Sequence, residues 1–219
     1  MRRNLNRLRI PLHADIDEVR AVPRDGLEQW EIDALDGMVA LRDGVDYVNT
    51  DRRYERAYEK LTSAYDAYIR ARPPPERNKV LLAKLCLWRG IALNENTDAE
   101  VRSRNDRAIA EYKRGLRLVA PPEEKEEVDI EVVRVRMSLD NSLGVAYHHR
   151  NGVSIPATSF RYYRKALQLF EDHPRDKYAR AIMEQVERNS GGVVARPKKK
   201  TPGVVLAAGG GGGGSCNVV

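Results

Sequence analysis

Residues 143–174 read LGVAYHHRNGVSIPATSFRYYRKALQLFEDHP, and the punctuation of this stretch decides the fold. Asn151-Gly152 is a turn dipeptide, so the helical pattern before it must stop there. Pro156 falls near the first turn of the next segment, where a missing N–H costs nothing, and Pro174 closes that segment. Apolar residues on both sides recur at helical rather than alternating spacing. The unit therefore reads as two helices joined by a short turn, not as a strand hairpin.

The same reading extends over residues 26–190. GLEQWEIDALDGMVAL has apolar residues at Leu27, Trp30, Ile32, Leu35 and Met38, and DRRYERAYEKLTSAYDAYIRA runs to a stop at Pro73, Pro74 and Pro75. ERNKVLLAKLCLWRGIALNE carries a strongly apolar face. Thr97 with Glu100 predicts a capping box for DAEVRSRNDRAIAEYKRGLRLV, which Pro121 and Pro122 end. PPEEKEEVDIEVVRVRMSLDNSLGVAYHHR opens with Glu123, Glu124, Glu126 and Glu127, which suit a helix dipole better than they suit a metal. PRDKYARAIMEQVERN supplies a seventh helix, ended by Gly191-Gly192.

Small residues recur where paired helices must approach. Leu143, Gly144, Tyr147, Tyr163, Ala166 and Pro174 mark the last pair; Gly90, Ala108, Tyr112, Gly115 and Pro121 the middle one; Gly44, Tyr47, Ala57, Leu61 and Ala64 the first. This pattern resembles the tetratricopeptide repeat (TPR) family. Successive glycines lie 46 and 54 residues apart, against a family period of about 34, which calls for longer helices or loops. The resemblance implies an all-α, TPR-like α/α superhelix of about three helix pairs plus a closing helix.

It also implies a concave groove lined by the first helix of each pair, with Leu41, Lys84, Leu87, Ile91, Asn94, Asn141, Val145 and His148 facing a bound peptide or helix. The positions matching the family's clamp for acidic chaperone tails are Leu41, Val45, Trp88, Ser138 and Ser142. They lack the Lys, Asn and Arg of that clamp, so no chaperone-client role is expected.

The chain has 219 residues, of which 42% are hydrophobic and 32% charged, the balance of one globular domain with polar extensions. Its formal charge of +6 is concentrated at the ends: Arg2, Arg3, Arg7 and Arg9 in a basic arm (residues 1–25), and Arg196, Lys198, Lys199 and Lys200 in a tail (residues 191–219). Removing those eight charges leaves −2 over residues 15–190. No nucleic-acid partner is expected on that count. Two cysteines form no disulfide framework and fit a reducing cytoplasm. No run of residues reaches the length of a membrane span.

No P-loop, dinucleotide-binding glycine motif, nucleophile elbow or cysteine cluster of metal-ligand spacing occurs. His148 and His149 are adjacent, so on a helix they point about 100° apart and cannot share a metal. The stripe Tyr54, Tyr58, Tyr65 and Tyr68 has the spacing of inter-helix packing. No catalytic residue, metal site or cofactor is expected.

The chain ends GGGGGGSCNVV, and a glycine run has no side chains with which to build a core, so a disordered tail is expected. Cys216-Asn217-Val218-Val219 resembles a C-a-a-X prenylation box, with Val219 departing from the usual final residues. The resemblance implies a lipid on Cys216, with Arg196, Lys198, Lys199 and Lys200 adding attraction to an anionic leaflet. The expected function is a non-catalytic protein-interaction adaptor, peripheral on a cytoplasmic membrane face. The alternative is a soluble enzyme, or an enzyme's obligate subunit, on a helical scaffold.

Overall fold

The computed structural model describes residues 20–71, 75–96, 100–120, 129–151 and 155–191. Those residues form α-helices and connecting turns with no strand: α1 (Gln29–Asp46), α2 (Tyr54–Ala71), α3 (Pro75–Glu95), α4 (Val101–Leu118), α5 (Ile130–Asn151), α6 (Ala157–Asp172) and α7 (Lys177–Asn189). The seven expected helices are all present. Their boundaries follow local chemistry. Glu28 and Glu31 form a reciprocal capping box at the start of α1, and Asp176 caps α7 by accepting from the Ala179 N–H at 2.8 Å. Gly191, at φ +63, takes the left-handed turn that ends α7. Thr97, the expected cap, lies outside the described residues; α4 begins at Val101, with Glu100 itself in the N-cap position.

One element went unread in the sequence. α1 does not stop at Asp46 but widens into a π-helical turn, Tyr47–Asp51, which Arg52 ends in the left-handed region at φ 52.

Each helix packs on the next. α5 additionally touches α3 and α7, while α1 makes a slight contact with α3. Within the pairs α1/α2, α3/α4 and α5/α6, a glycine lies under a large side chain. A Cβ added at Gly90 would stand 2.2 Å from Tyr112 Cε1, one at Gly144 2.2 Å from Tyr163 Cε1, and one at Gly44 2.5 Å from Leu61 Cγ. Tyr112, Tyr163 and Leu61 are themselves fully buried. Between pairs, Gly115 of α4 receives Leu139 of α5, with Cys86 beside it. The core therefore runs continuously through the array, from Leu41, Leu61 and Tyr68 at one end to Tyr163, Met183 and Val186 at the other. No helix of the described residues is long and apolar enough to cross a membrane.

Gly90→Ala and Gly144→Ala each improve helix propensity by about 1 kcal/mol, yet must displace a buried ring, an overpacking cost of about 1–3 kcal/mol or more. Both variants should lower the midpoint of urea unfolding. An unchanged midpoint for either would show that the ring is not seated on the glycine.

Candidate functional site

α3, α5 and α7 lie side by side and meet along a polar seam. Lys84 of α3 pairs with Glu131 of α5, Nζ to Oε2 3.3 Å. Asn94 Nδ2 and His149 Nδ1 are 3.5 Å apart at the other end of the same two helices. Between α5 and α7, Asn189 Nδ2 donates to Asn141 Oδ1 at 3.1 Å. Arg134 engages both carboxylate oxygens of Asp176, with Nε to Oδ1 3.1 Å. That pairing, the capping N–H of Ala179 and the Arg134 charge hold the Asp176 pKa down at about 2.

The expected groove residues divide on this seam. Lys84, Leu87, Ile91, Val145 and His148 are half-buried, each leaving some surface toward solvent. Leu87 and Ile91 rest on the core around Leu139 and Leu143, and Val145 on the core around Tyr163. Leu41 is different: it is 6% exposed, packed with Leu61 and Tyr68, and is a core residue rather than a groove residue. Asn94 and Asn141 are 5% and 7% exposed. Asn141 spends its carbonyl on Asn189, whereas Asn94 Oδ1 has no hydrogen-bond partner among the described residues. The burial of Asn141 arises because α7 continues the row begun by α3 and α5, an arrangement that no local pattern in α5 announces. Arg196, Lys198, Lys199, Lys200 and Cys216 lie outside the described residues, as do Glu123, Glu124, Glu126 and Glu127.

A second polar arrangement fills the junction of α2, α3 and α4. Arg89 of α3 is 6% exposed and pairs with Glu111 of α4 at 3.2 Å. Its guanidinium lies between two rings of α2, 5.2 Å from the Tyr58 centroid and 5.1 Å from that of Tyr65. Arg89 also donates to the Tyr58 hydroxyl at 3.2 Å. The tyrosines expected to pack between helices do so, with Tyr68 buried under Gly37 and Tyr58 and Tyr65 gripping this cation. Cys86 lies in the same junction, and burial, then the Glu111 charge, pushes its pKa up to about 12, so the thiol stays protonated at neutral pH. Among the described residues, no three histidine, cysteine, aspartate or glutamate side chains converge closely enough to hold a metal ion.

The next junction, of α4, α5 and α6, holds Asp140 in the position that Cys86 occupies in the previous one, four residues before the pair's glycine. Asp140 is 2% exposed, and its Oδ1 finds no hydrogen-bond donor among the described residues. Desolvation raises its pKa to about 6 against the opposing attraction of Lys165 and Arg136. Comparison of the chain with protein-family models, with curated proteins and with solved structures gave no match.

The raised pKa fixes the direction of a test. The folded state holds the Asp140 proton more tightly than the unfolded chain does. The buried carboxyl is therefore least costly below about pH 4, and a penalty grows as pH rises through 6. Asp140→Asn should stabilise the protein at pH 7–8 by about 1–3 kcal/mol and should give little gain at pH 4. Unfolding free energies measured across that range check it; a gain independent of pH would show that the carboxylate is not the source.

Proposed function

We propose that this chain is a non-catalytic protein-binding adaptor: a TPR-like array of three helix pairs closed by α7, with a partner segment seated along the row α3–α5–α7 and a prenylated Cys216 tethering it to a cytoplasmic membrane face. The observation that carries the reading is the repeated seating of a large side chain on a glycine, Leu61 on Gly44, Tyr112 on Gly90 and Tyr163 on Gly144. Repeat arrays need such close approach in every unit, because one pair cannot bury its apolar surface alone. The seam supports the binding half of the proposal. It presents a cation, carboxylates and an imidazole beside the half-buried Leu87, Ile91 and Val145, a mixture suited to a peptide with apolar anchors and a hydrogen-bonding backbone. The membrane half rests on the sequence CNVV and the basic cluster Arg196–Lys200 fifteen residues before it alone.

Lys84→Gln combined with His148→Ala should weaken capture of a crosslinked partner about tenfold. Lys84→Gln removes the cation without setting a second carboxylate beside Glu131, which is half-exposed, so loss of the pair should cost no more than about 1 kcal/mol. Undiminished capture would remove the seam as the binding surface.

Cys216→Ser should move the chain from the membrane fraction to the soluble fraction of eukaryotic cells, and intact mass of the wild type should exceed the sequence mass by one prenyl group. An unmodified mass would end the tether reading.

A further inference from the structure

The charge of the folded part is near balance in sum and far from balance in space. α1 carries five acidic residues against one basic, whereas α4 carries six basic against two acidic. On α4, Arg107, Lys113, Arg114 and Arg117 are all exposed, and at 100° per residue they fall within an arc of about 120°. On α6, Arg161, Arg164 and Lys165 are exposed as well.

The two helices are joined into one surface by a ladder of side chains. Lys113 of α4 sits 5.6 Å from the Tyr147 centroid, Tyr147 stacks on Tyr162 at 5.6 Å and 7°, and Lys165 of α6 sits 5.4 Å from the Tyr162 centroid. On the other flank, Arg107 lies over Tyr58 at 5.2 Å and Arg114 over Tyr65 at 5.9 Å. Of the two acids on α4, Asp106 pairs with Arg150 at 3.1 Å, and Glu111 is buried against Arg89 at 3.2 Å with Arg114 3.8 Å away. Glu171 and Asp172 stand at the far end of α6.

We propose that the outward face of α4 and α6, built on Arg107, Lys113, Arg114, Arg117, Arg161 and Arg164, docks onto an anionic lipid surface. The inference rests on the membrane reading above only in placing the chain beside a bilayer. Two features favour lipid headgroups over a nucleic acid. Every tyrosine in the band already has a cation over its ring, and Tyr147 and Tyr162 cover each other, so none offers the free face on which a base would stack. The cations also stand on two helices linked through the Tyr147–Tyr162 stack of α5 and α6, as a broad patch of positive charge rather than a groove that tracks one phosphodiester chain. Each basic residue held at an anionic bilayer strengthens binding by a factor of about five. A single lipid chain is a marginal anchor, and this face supplies a second attraction borne by the folded body.

The test uses the full-length, unlipidated chain and vesicles of phosphatidylcholine with or without about 30% phosphatidylserine, by sedimentation at low and at physiological salt. Wild type should bind only the anionic vesicles and weaken as salt rises. Replacing Lys113, Arg117, Arg161 and Arg164 by Gln should reduce binding roughly a hundredfold or more. Replacing Lys198, Lys199 and Lys200 by Gln should reduce it less. A variant with Lys at Arg117, Arg161 and Arg164 should keep binding, which separates charge from fold, and circular dichroism should show all variants equally helical. The proposal is overturned if wild type ignores anionic vesicles, if the Gln variant binds like wild type, or if the chain binds a 20-nucleotide single-stranded RNA at physiological salt while leaving the vesicles free. Because no lipid is attached in this experiment, a failed tether at Cys216 and a failed docking face give different results.

Discussion

A backbone without a Cβ, met by a buried ring, is the contact on which the remainder of this molecule depends. Tyr112 approaches Gly90, and Tyr163 approaches Gly144, at distances that leave no room for a methyl group. Such a contact fixes register as well as distance, because moving one helix by a single residue would bring a side chain under the ring. With register fixed inside each pair, the pairs themselves can meet in only a few ways. Leu139 then reaches Gly115 across the second junction, and the polar residues of α3, α5 and α7 come into one row. The seam is thus a consequence of apolar packing elsewhere, not a structure that holds itself together.

The two inter-pair junctions show what happens when polar groups are carried into that packing. At the first, Arg89 is met by a carboxylate and by two rings, so its charge is surrounded by partners when it leaves water. Even so, one nitrogen of Arg89 and one oxygen of Glu111 find no partner among the described residues. At the second, burial raises the Asp140 pKa to about 6 against the attraction of Lys165 and Arg136. Buried ion pairs of this kind add little net stability over well-packed apolar residues, and removing one partner alone costs several kcal/mol. Their effect is selective: Arg89 is at ease only with Tyr58, Tyr65 and Glu111 around it, so the junction disfavours other ways of stacking the first pair on the second.

What could be read from the sequence was what local chemistry determines. Proline and glycine placed the helix ends, and apolar periodicity placed the helices, because both act within a turn or two of chain. The glycine and ring positions were also legible as a recurring pattern, although nothing in the pattern alone says that Leu61 in the first pair does the work of Tyr163 in the last. Direction was harder. Leu41 shares the helical spacing of a groove residue, but α2 closes over it with Leu61 and Tyr68. Asn141 looks like a free amide until Asn189, 48 residues later, is brought against it. The π-helical turn at Tyr47–Asp51 left no signal in the apolar pattern. Glu100 is expected three residues inside α4, whereas the helix starts at Val101 and leaves Glu100 at its cap.

Charge is the property for which summation along the chain conceals most. A body of residues 15–190 with net −2 reads as electrostatically plain, yet α1 and α4 carry opposite excesses and stand in different pairs. Attraction to a charged surface decays over about 8–10 Å at ordinary ionic strength, so a surface lying against α4 and α6 feels their cations far more than the acids of α1. The basic residues of α4 and α6 and the polar seam of α3, α5 and α7 are also carried by different helices. On the adaptor reading, occupation of one surface therefore need not displace a ligand from the other, and the place where they come nearest is α5, where Tyr147 of the basic band precedes His148 and His149 of the seam.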